Sequence, residues 1–316
     1  MNEREKIEIT APILFIGFNR PEITKQTFNY LRNAEVRNLY IAIDGPREDE
    51  SNDYKLVSRV KNIVKKVDWE CDARHRFNEK NKGAEVTVSS AISWVLEKEE
   101  YVIVLEDDII APKSFLKFIQ DMLRRYQDCE RIGTVTGCNF TPISLEKDND
   151  YFFAKYGHHW GWGTWQRAWE GYNLNVDIPD RHVKLEFLRT ITNTEAEAEY
   201  FREKFRKMKE RGAGNNPWDY VADYYHRINN RLSIIPRVNL TSNIGTHGLH
   251  TNGKSEHHFR EFDENFEVKK HPDKIRYNKE YDIYHFNNYI NEYMNCKKPI
   301  YKRAINKAIR VIKRYV

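Results

Sequence analysis

Val102-Ile103-Val104-Leu105-Glu106-Asp107-Asp108 is an apolar run that ends abruptly in three consecutive carboxylates. The run has the length and β-branched composition of a buried strand. Adjacent acids repel, so a cationic partner is expected at its end. Successive strand residues point to opposite faces, which would put Glu106 and Asp108 on one face and Asp107 on the other. One metal ion is therefore not expected to take all three. The pattern suits a hard divalent cation held by one or two carboxylates, with ligand phosphates and water completing its shell.

Working outward, the first hundred residues alternate strand and helix signals. Strands are expected at 12–18, 39–43 and 73–77, and helices at 21–33, 53–67 and 83–98, before the acid-tipped strand and a helix over 114–126. This alternation predicts an α/β protein built on a Rossmann-like, mostly parallel sheet flanked by helices. Ligands in such sheets bind beyond the carboxyl ends of the strands. Asn19-Arg20, Asp44-Gly45 and Glu106-Asp107-Asp108 all fall at such ends. Further on, strands are expected at 132–136, 151–156, 232–235 and 238–244, and helices at 184–190, 195–211 and from Trp218-Asp219 onward. The stretch 245–258 reads as a loop.

A chain of 316 residues with 40% hydrophobic and 13% aromatic residues can bury a substantial core. The polar start and the absence of a long apolar run predict neither a secretory leader nor a spanning helix. Cys71, Cys129, Cys138 and Cys296 show no metal-type spacing and read as reduced thiols, so a cytoplasmic location is expected.

The net charge of +5 is unevenly placed: Lys297–Val316 carries eight basic residues and no acid. Taking those eight from 52 basic residues leaves 44 against 47 acids, a charge of −3 for the rest. Tyr301, Ile305, Ala308, Ile312 and Tyr315 fall on one side of a helical projection of this tail. Residues 297–316 therefore read as a basic amphipathic helix able to rest on an anionic membrane surface, or to pack on the body with a solvated basic face. Nucleic acid is not an expected partner, because the acidic body offers no matching basic patch.

Separate strand-end groups could divide the handling of a nucleotide. Asp44 could accept the imide hydrogen of a uracil, or simply start the Asp-Gly-Pro turn. Arg20 could pair with a phosphate or the base, and Asp108 could hold a metal on the diphosphate. No Gly-x-Gly-x-x-Gly or Walker sequence is present. In His158-His159-Trp160-Gly161-Trp162-Gly163-Thr164-Trp165, the glycines would let a ligand approach the backbone and the indoles would cover apolar sugar faces. Trp160 and Trp162 are expected to face a sugar, and Trp165 and Trp169 to be core.

Phe18-Asn19-Arg20-Pro21, Ile43-Asp44-Gly45 and Val104–Pro112 together resemble the nucleotide-sugar glycosyltransferases of GT-A fold, with the nearest likeness to N-acetylglucosaminyltransferase I and bacterial family 2-like sugar transferases. The resemblance covers roughly residues 10 to 250. It implies Asp108 as the ligand of Mn2+ or Mg2+, Glu106 and Asp107 on the donor sugar and ribose, and Arg20 and Asp44 on the nucleotide. It implies Asp219, in Trp218-Asp219, as the catalytic base of an inverting transfer from a nucleotide-diphosphate sugar, with UDP the expected nucleotide. His247 or His250, in the loop 246–251, would join the metal shell or close over the diphosphate. The galactosyltransferase pattern, in which acids follow Trp-Gly-Trp-Gly, is not met, because Thr164-Trp165 stands there.

The implied layout is a glycosyltransferase domain over 1–245, with a nucleotide-binding half over 1–110 and an acceptor-binding half over 111–245. A loop or extension over 246–296 and the basic helix would follow. Without a leading anchor, the expectation is a bacterial enzyme resting on the inner membrane that builds a cell-surface glycan on a saccharide or lipid-linked saccharide acceptor. Competing readings are a sugar nucleotidyltransferase and a non-catalytic carbohydrate- or metal-binding relative.

Overall fold

Three βα units open the chain of the computed structural model, which describes residues 8–141, 148–245 and 260–290. They comprise β1 (Ile13–Gly17), α1 (Pro21–Ala34), β2 (Asn38–Ile43), α2 (Ser51–Val64), β3 (Asp72–Phe77) and α3 (Gly83–Leu96). Every residue of β1 is buried, as expected of a strand covered on both faces. Pro21 occupies the first turn of α1, where its missing N–H costs nothing, and Glu35 at φ 53° closes the helix in the left-handed region.

The acid-tipped strand is β4 (Tyr101–Glu106), followed by the two-residue β5 (Ile109–Ile110) and α4 (Lys113–Arg125). Phe115, Phe118, Ile119, Met122 and Leu123 of α4 are buried at helical spacing against the sheet. Next come β6 (Ile132–Thr136), β7 (Tyr151–Ala154), β8 (Trp162–Trp165) and the short α5 (Gln166–Trp169). The remainder is α6 (Leu185–Ile191), α7 (Glu195–Arg211), α8 (Trp218–Ile228), β9 (Leu232–Pro236), β10 (Ser242–Asn243) and α9 (Lys279–His285). Thr194 caps α7 by accepting from the Glu197 N–H at 3.2 Å.

Eight strands form one sheet in the order β3-β2-β1-β4-β8-β6-β9-β7. The β3-β2-β1-β4 block is parallel, and β6 and β9 also pair in parallel. Only β8 and β7 run against the rest. The α/β class and the mostly parallel sheet read from the sequence are thus present. A separate antiparallel ribbon joins β10 to β5, pairing Ser242 with Ile110 and Asn243 with Ile109.

Two local expectations need correction. The strand expected over 238–244 is reduced to Ser242–Asn243, long enough only to pair with β5. Residues 162–165 form a central strand whose glycine serves packing. A Cβ on Gly163 would meet Ile119 Cγ2 of α4 at 2.7 Å, so the close approach there is by a helix of the protein. Gly161 (φ +75°) is crowded in the same way by Thr241 and Phe115. Within the stretch read as a loop or extension, Asn278 caps α9 by accepting from the Tyr281 N–H at 3.0 Å.

Candidate active site

The parallel block brings the ends of β1, β2 and β4 side by side. Strand β4 stops at Glu106, and residues 107–108 turn. Strand alternation therefore does not run through the triplet. Arg20, just after β1, reaches two of the acids: one guanidinium nitrogen donates to Asp107, and Nη1 donates to Asp108 Oδ2 at 3.0 Å. The expected opposition of Asp107 and Asp108 is corrected accordingly, since one fork spans both. The Thr27 hydroxyl holds the Asp107 carbonyl at 2.7 Å, tying the turn to α1.

One guanidinium faces three carboxylates here. Burial, reinforced by Asp108 and Asp107, pushes the Glu106 carboxyl up to about 8. Burial raises Asp107 to about 6 against the opposing pull of Arg20. Desolvation is the largest single influence on the Arg20 guanidinium and lowers its value, but the pairs with Asp107 and Asp108 together outweigh it and hold it above the ordinary range.

Carboxylate oxygens such as those of Asp108 are the donor type a hard cation takes. Ile244 N–H donates to the Asp108 carbonyl at 2.9 Å, and this sets Gly245 against the Asp108 side chain. A Cβ on Gly245 would collide with Asp108 Oδ2, so only glycine leaves that carboxylate its space. Among the described residues, no group of three or more His, Cys, Asp and Glu side chains is arranged to hold a metal unaided. An ion on Asp108 would complete its shell with ligand oxygens, the usual arrangement for a magnesium or manganese diphosphate. His247 and His250 lie outside the described residues, as do Cys296 and the basic tail.

Asp44 sits at the end of β2 and is 4% exposed. Its carboxylate accepts from Gly45 N at 2.9 Å, Asn78 Nδ2 at 2.9 Å, Asn81 Nδ2 at 3.0 Å, Lys82 N at 3.0 Å and Gly83 N at 3.1 Å. A carboxylate has about four lone-pair positions, and these five donors use them. Asp44 organises the loop that leads into α3, with little acceptor capacity left for a base.

Glu106 also opens onto a cavity of about 810 Å³, within the usual size range of small-molecule sites. Asp219, in the first turn of α8, faces the same cavity and takes the Tyr220 N–H on Oδ1 at 2.9 Å. Glu85 of α3 accepts from Trp218 N at 2.6 Å, so Glu85 and Asp219 each satisfy one first-turn N–H of α8. Trp162, 1% exposed, stacks on Trp218 with centroids 6.0 Å apart and 18° between planes. His159 packs on both rings, at 4.7 and 4.9 Å. Trp160 is partly buried against Phe140, and Trp165 and Trp169 lie in the core.

Sequence reasoning missed the floor of this cavity. Asp219, Asp223 and Arg227 follow each other at four-residue intervals along α8 and line one face of it. Asp223 accepts from Lys204 Nζ at 2.7 Å and from Arg227 Nε at 3.0 Å. Those two cations overcome the desolvation of the Asp223 carboxyl and hold it well below its ordinary value. The (i, i+4) spacing was the one signal in the sequence that could have found the stripe.

No protein-family model and no curated protein matches the chain. Solved structures similar to it include a mannosyltransferase from Pyrobaculum calidifontis in complex with GDP-Man and Mn2+, at 11% identity over 70% of this chain and 71% of that one, with a TM-score of 0.36. Mouse xyloside xylosyltransferase 1 is similar at 10% identity over 69% and 81%, with a TM-score of 0.35. The 4-diphosphocytidyl-2C-methyl-D-erythritol synthase of Anaerococcus prevotii is similar at 9% identity over 74% and 90%, with a TM-score of 0.36. At these scores none of the three bears on chemistry, which rests on the site's own residues.

Proposed function

We propose that the protein is a metal-dependent, inverting glycosyltransferase that moves a sugar from a nucleotide-diphosphate donor, a UDP-sugar foremost, to a hydroxyl of a saccharide. The observation that carries this reading is the meeting of Glu106 and Asp219 at one cavity, beside the Arg20–Asp107–Asp108 cluster. Asp219 takes the proton of the acceptor hydroxyl as its oxygen bonds the anomeric carbon. The bond to the diphosphate oxygen breaks, and the departing diphosphate keeps the electron pair. A positioned base of this kind contributes ~10²–10⁴-fold. Mn2+ or Mg2+ on Asp108 would offset the charge of the leaving diphosphate. Arg20 offers the diphosphate a forked donor, Asp107 and Glu106 orient ribose and donor sugar, and Trp162 walls the sugar pocket.

The test is calorimetric titration of UDP- and GDP-sugars with and without Mn2+, on wild type and Asp108→Asn, alongside product analysis with saccharide acceptors. Metal-dependent binding lost in Asp108→Asn supports the reading. Formation of a nucleotide sugar from a nucleoside triphosphate and a sugar 1-phosphate, without sugar transfer, would overturn it in favour of a nucleotidyltransferase. Among the described residues, no helix is long and apolar enough to cross a membrane. The basic stretch 297–316 would supply peripheral attachment near a lipid-linked acceptor. Its deletion should release the protein from anionic liposomes, and unchanged binding would dismiss that role.

A further inference from the structure

Away from the cavity, the segment that leads into α9 carries a strip of unmatched positive charge. Between Val268 and Glu280, the side chains of Lys269, Lys270, Lys274, Arg276 and Lys279 are all exposed. Val268, Ile275 and Tyr277 are partly buried against the main core, so apolar side chains turn in where basic ones turn out.

The body holds this strip in place. Asp150, just before β7, accepts from Lys269 N and Lys270 N, each at 2.7 Å. The Tyr151 hydroxyl meets His271 Nδ1 at 3.0 Å, and Arg131 Nη1 donates to the Ile275 carbonyl at 3.1 Å. Asn278 N donates to the Phe153 carbonyl at 2.7 Å. These bonds lay the strip along β7, the last strand of the sheet. Exposed Arg131 and Arg125 extend the same surface, with Arg125 facing Tyr151 and His271.

Neighbouring acids leave it positive. Among the described residues, none of these seven cations makes an ion pair. Asp273 is the strip's own acid, and Glu280 follows it in the first turn of α9. Asp150 is also held by Arg237, Asp121 faces Lys117 and Arg124 as well as His271, and Asp128 and Glu130 face Arg167. Lys155 stands over the Tyr277 ring at 4.9 Å and adds a further cation. The acids that open the segment lie toward the start of α4, where Ser114 donates to the Asp263 carbonyl and Lys117 pairs with Glu267. Helix α7 is the contrast, since its exposed Arg202, Arg206 and Lys207 are paired with Glu199 and Glu203.

Cations fixed side by side repel one another and favour an extended anionic partner. The basic run 297–316 begins seven residues after Ile290, which lines the cavity. Two basic stretches thus flank α9 in the chain while the remainder is acidic in balance. A flat anionic surface that meets these two stretches fits that distribution better than a polyanion tracked by a groove.

We propose that residues 269–279, with Arg125 and Arg131, form a second membrane-facing surface that seats the body on anionic lipid headgroups and turns α9 toward them. This rests on the peripheral attachment proposed above and not on the donor assignment. The two stretches act together, so weakening either releases the protein.

Co-sedimentation of the full chain with vesicles of equal parts phosphatidylcholine and phosphatidylglycerol tests it, with phosphatidylcholine alone as the reference. One lysine near an anionic bilayer contributes about five-fold, so Lys269→Gln/Lys270→Gln/Lys274→Gln should weaken binding at least ~ten-fold. Arg202→Gln/Arg206→Gln/Lys207→Gln removes the same formal charge from paired positions of α7 and should stay within about two-fold. Unchanged binding of the strip variant, equal losses in the strip and α7 variants, or equal binding to neutral vesicles would overturn the proposal. An RNA oligonucleotide bound more tightly than the vesicles, and lost in the same strip variant, would reassign the surface to nucleic acid. Lys302→Gln/Arg303→Gln/Lys307→Gln separates the tail: loss there with the strip variant unchanged fails the strip alone, and a wild type that ignores anionic vesicles fails both. UDP titration on the same samples reports on the donor assignment independently.

Discussion

Nη1 of Arg20 donates to Oδ2 of Asp108 at 3.0 Å, across 88 positions of sequence. The strand-end acids were expected to call for a cation, and within the protein that cation is a side chain already earmarked for the nucleotide. A metal ion bound there would compete with Arg20 for the same carboxylates.

Arg20→Gln should lower stability by about 2–3 kcal/mol, less than for a fully buried pair because the Arg20 side chain is 25% exposed. Excess Mn2+ should then raise the melting temperature of the variant by more than it raises that of wild type, since the ion meets acids no longer neutralised. Thermal melts with and without Mn2+ measure both effects, and an equal gain in the two proteins would count against the competition.

Asp219→Asn should retain affinity for a donor nucleotide within about two-fold and lose at least ~10²-fold in transfer rate. Paired titration and turnover assays check this. Equal losses of binding and rate would recast Asp219 as a donor contact.

Gly45→Ala should be disruptive despite its small change in volume. A Cβ there would lie 2.6 Å from Lys80 N and collide with the neighbouring backbone, which has little freedom to yield. An overpacking cost of about 2–3 kcal/mol is expected by chemical denaturation. The displaced 78–83 loop should also weaken nucleotide binding. Gly83→Ala has open space around its Cβ and suffers only from its φ of +78°, so its cost should be smaller.

His285 gives a pH signature. Burial, with Arg227 and Arg260 adding, holds its imidazole down at about 3 against an ordinary 6.5. A depressed folded-state value means full stability above about pH 6.5 and loss as pH falls toward 3. Between pH 7 and pH 5 the loss is roughly 2 kcal/mol. Asp282, pushed up to about 7 mainly by burial, acts in the opposite sense, stabilising as pH falls below that value. The decisive quantity is thus a difference: His285→Phe should lose less stability than wild type between pH 7 and pH 5, and parallel curves would refute the buried neutral imidazole.

Local patterns carried the parallel block of the sheet and the strand ends of this protein. Apolar runs, Asp-Gly and Arg-Pro punctuation and the acid triplet place Arg20, Asp44 and Glu106 at strand ends without any long-range information. What they could not reveal was how each group is employed. Asp44 is saturated by donors one, 34, 37, 38 and 39 positions away, a fact that exists only once the 78–83 loop is in place. Gly163 reads like a glycine for a ligand until α4 is laid over it. The cavity also draws on residues 158, 227 and 285, which share no period and no motif. Trp218-Asp219 was found by likeness, whereas its continuation to Asp223 and Arg227 was open to a simple helical count.

The bond from Trp218 N to Glu85, at 2.6 Å, couples parts of the molecule that the chain separates by 133 residues. Helix α3 begins in the loop gathered by Asp44, and its Val88, Ala91, Ile92 and Val95 share a buried cluster with Trp162, Trp169 and Trp218. It works as a tie bar, with one end at the loop gathered by Asp44 and its flank on α8. In the proposed reaction the separation between leaving group and base would be set by this strut, so a substitution that shifts the register of α3 should detune both ends of the reaction at once.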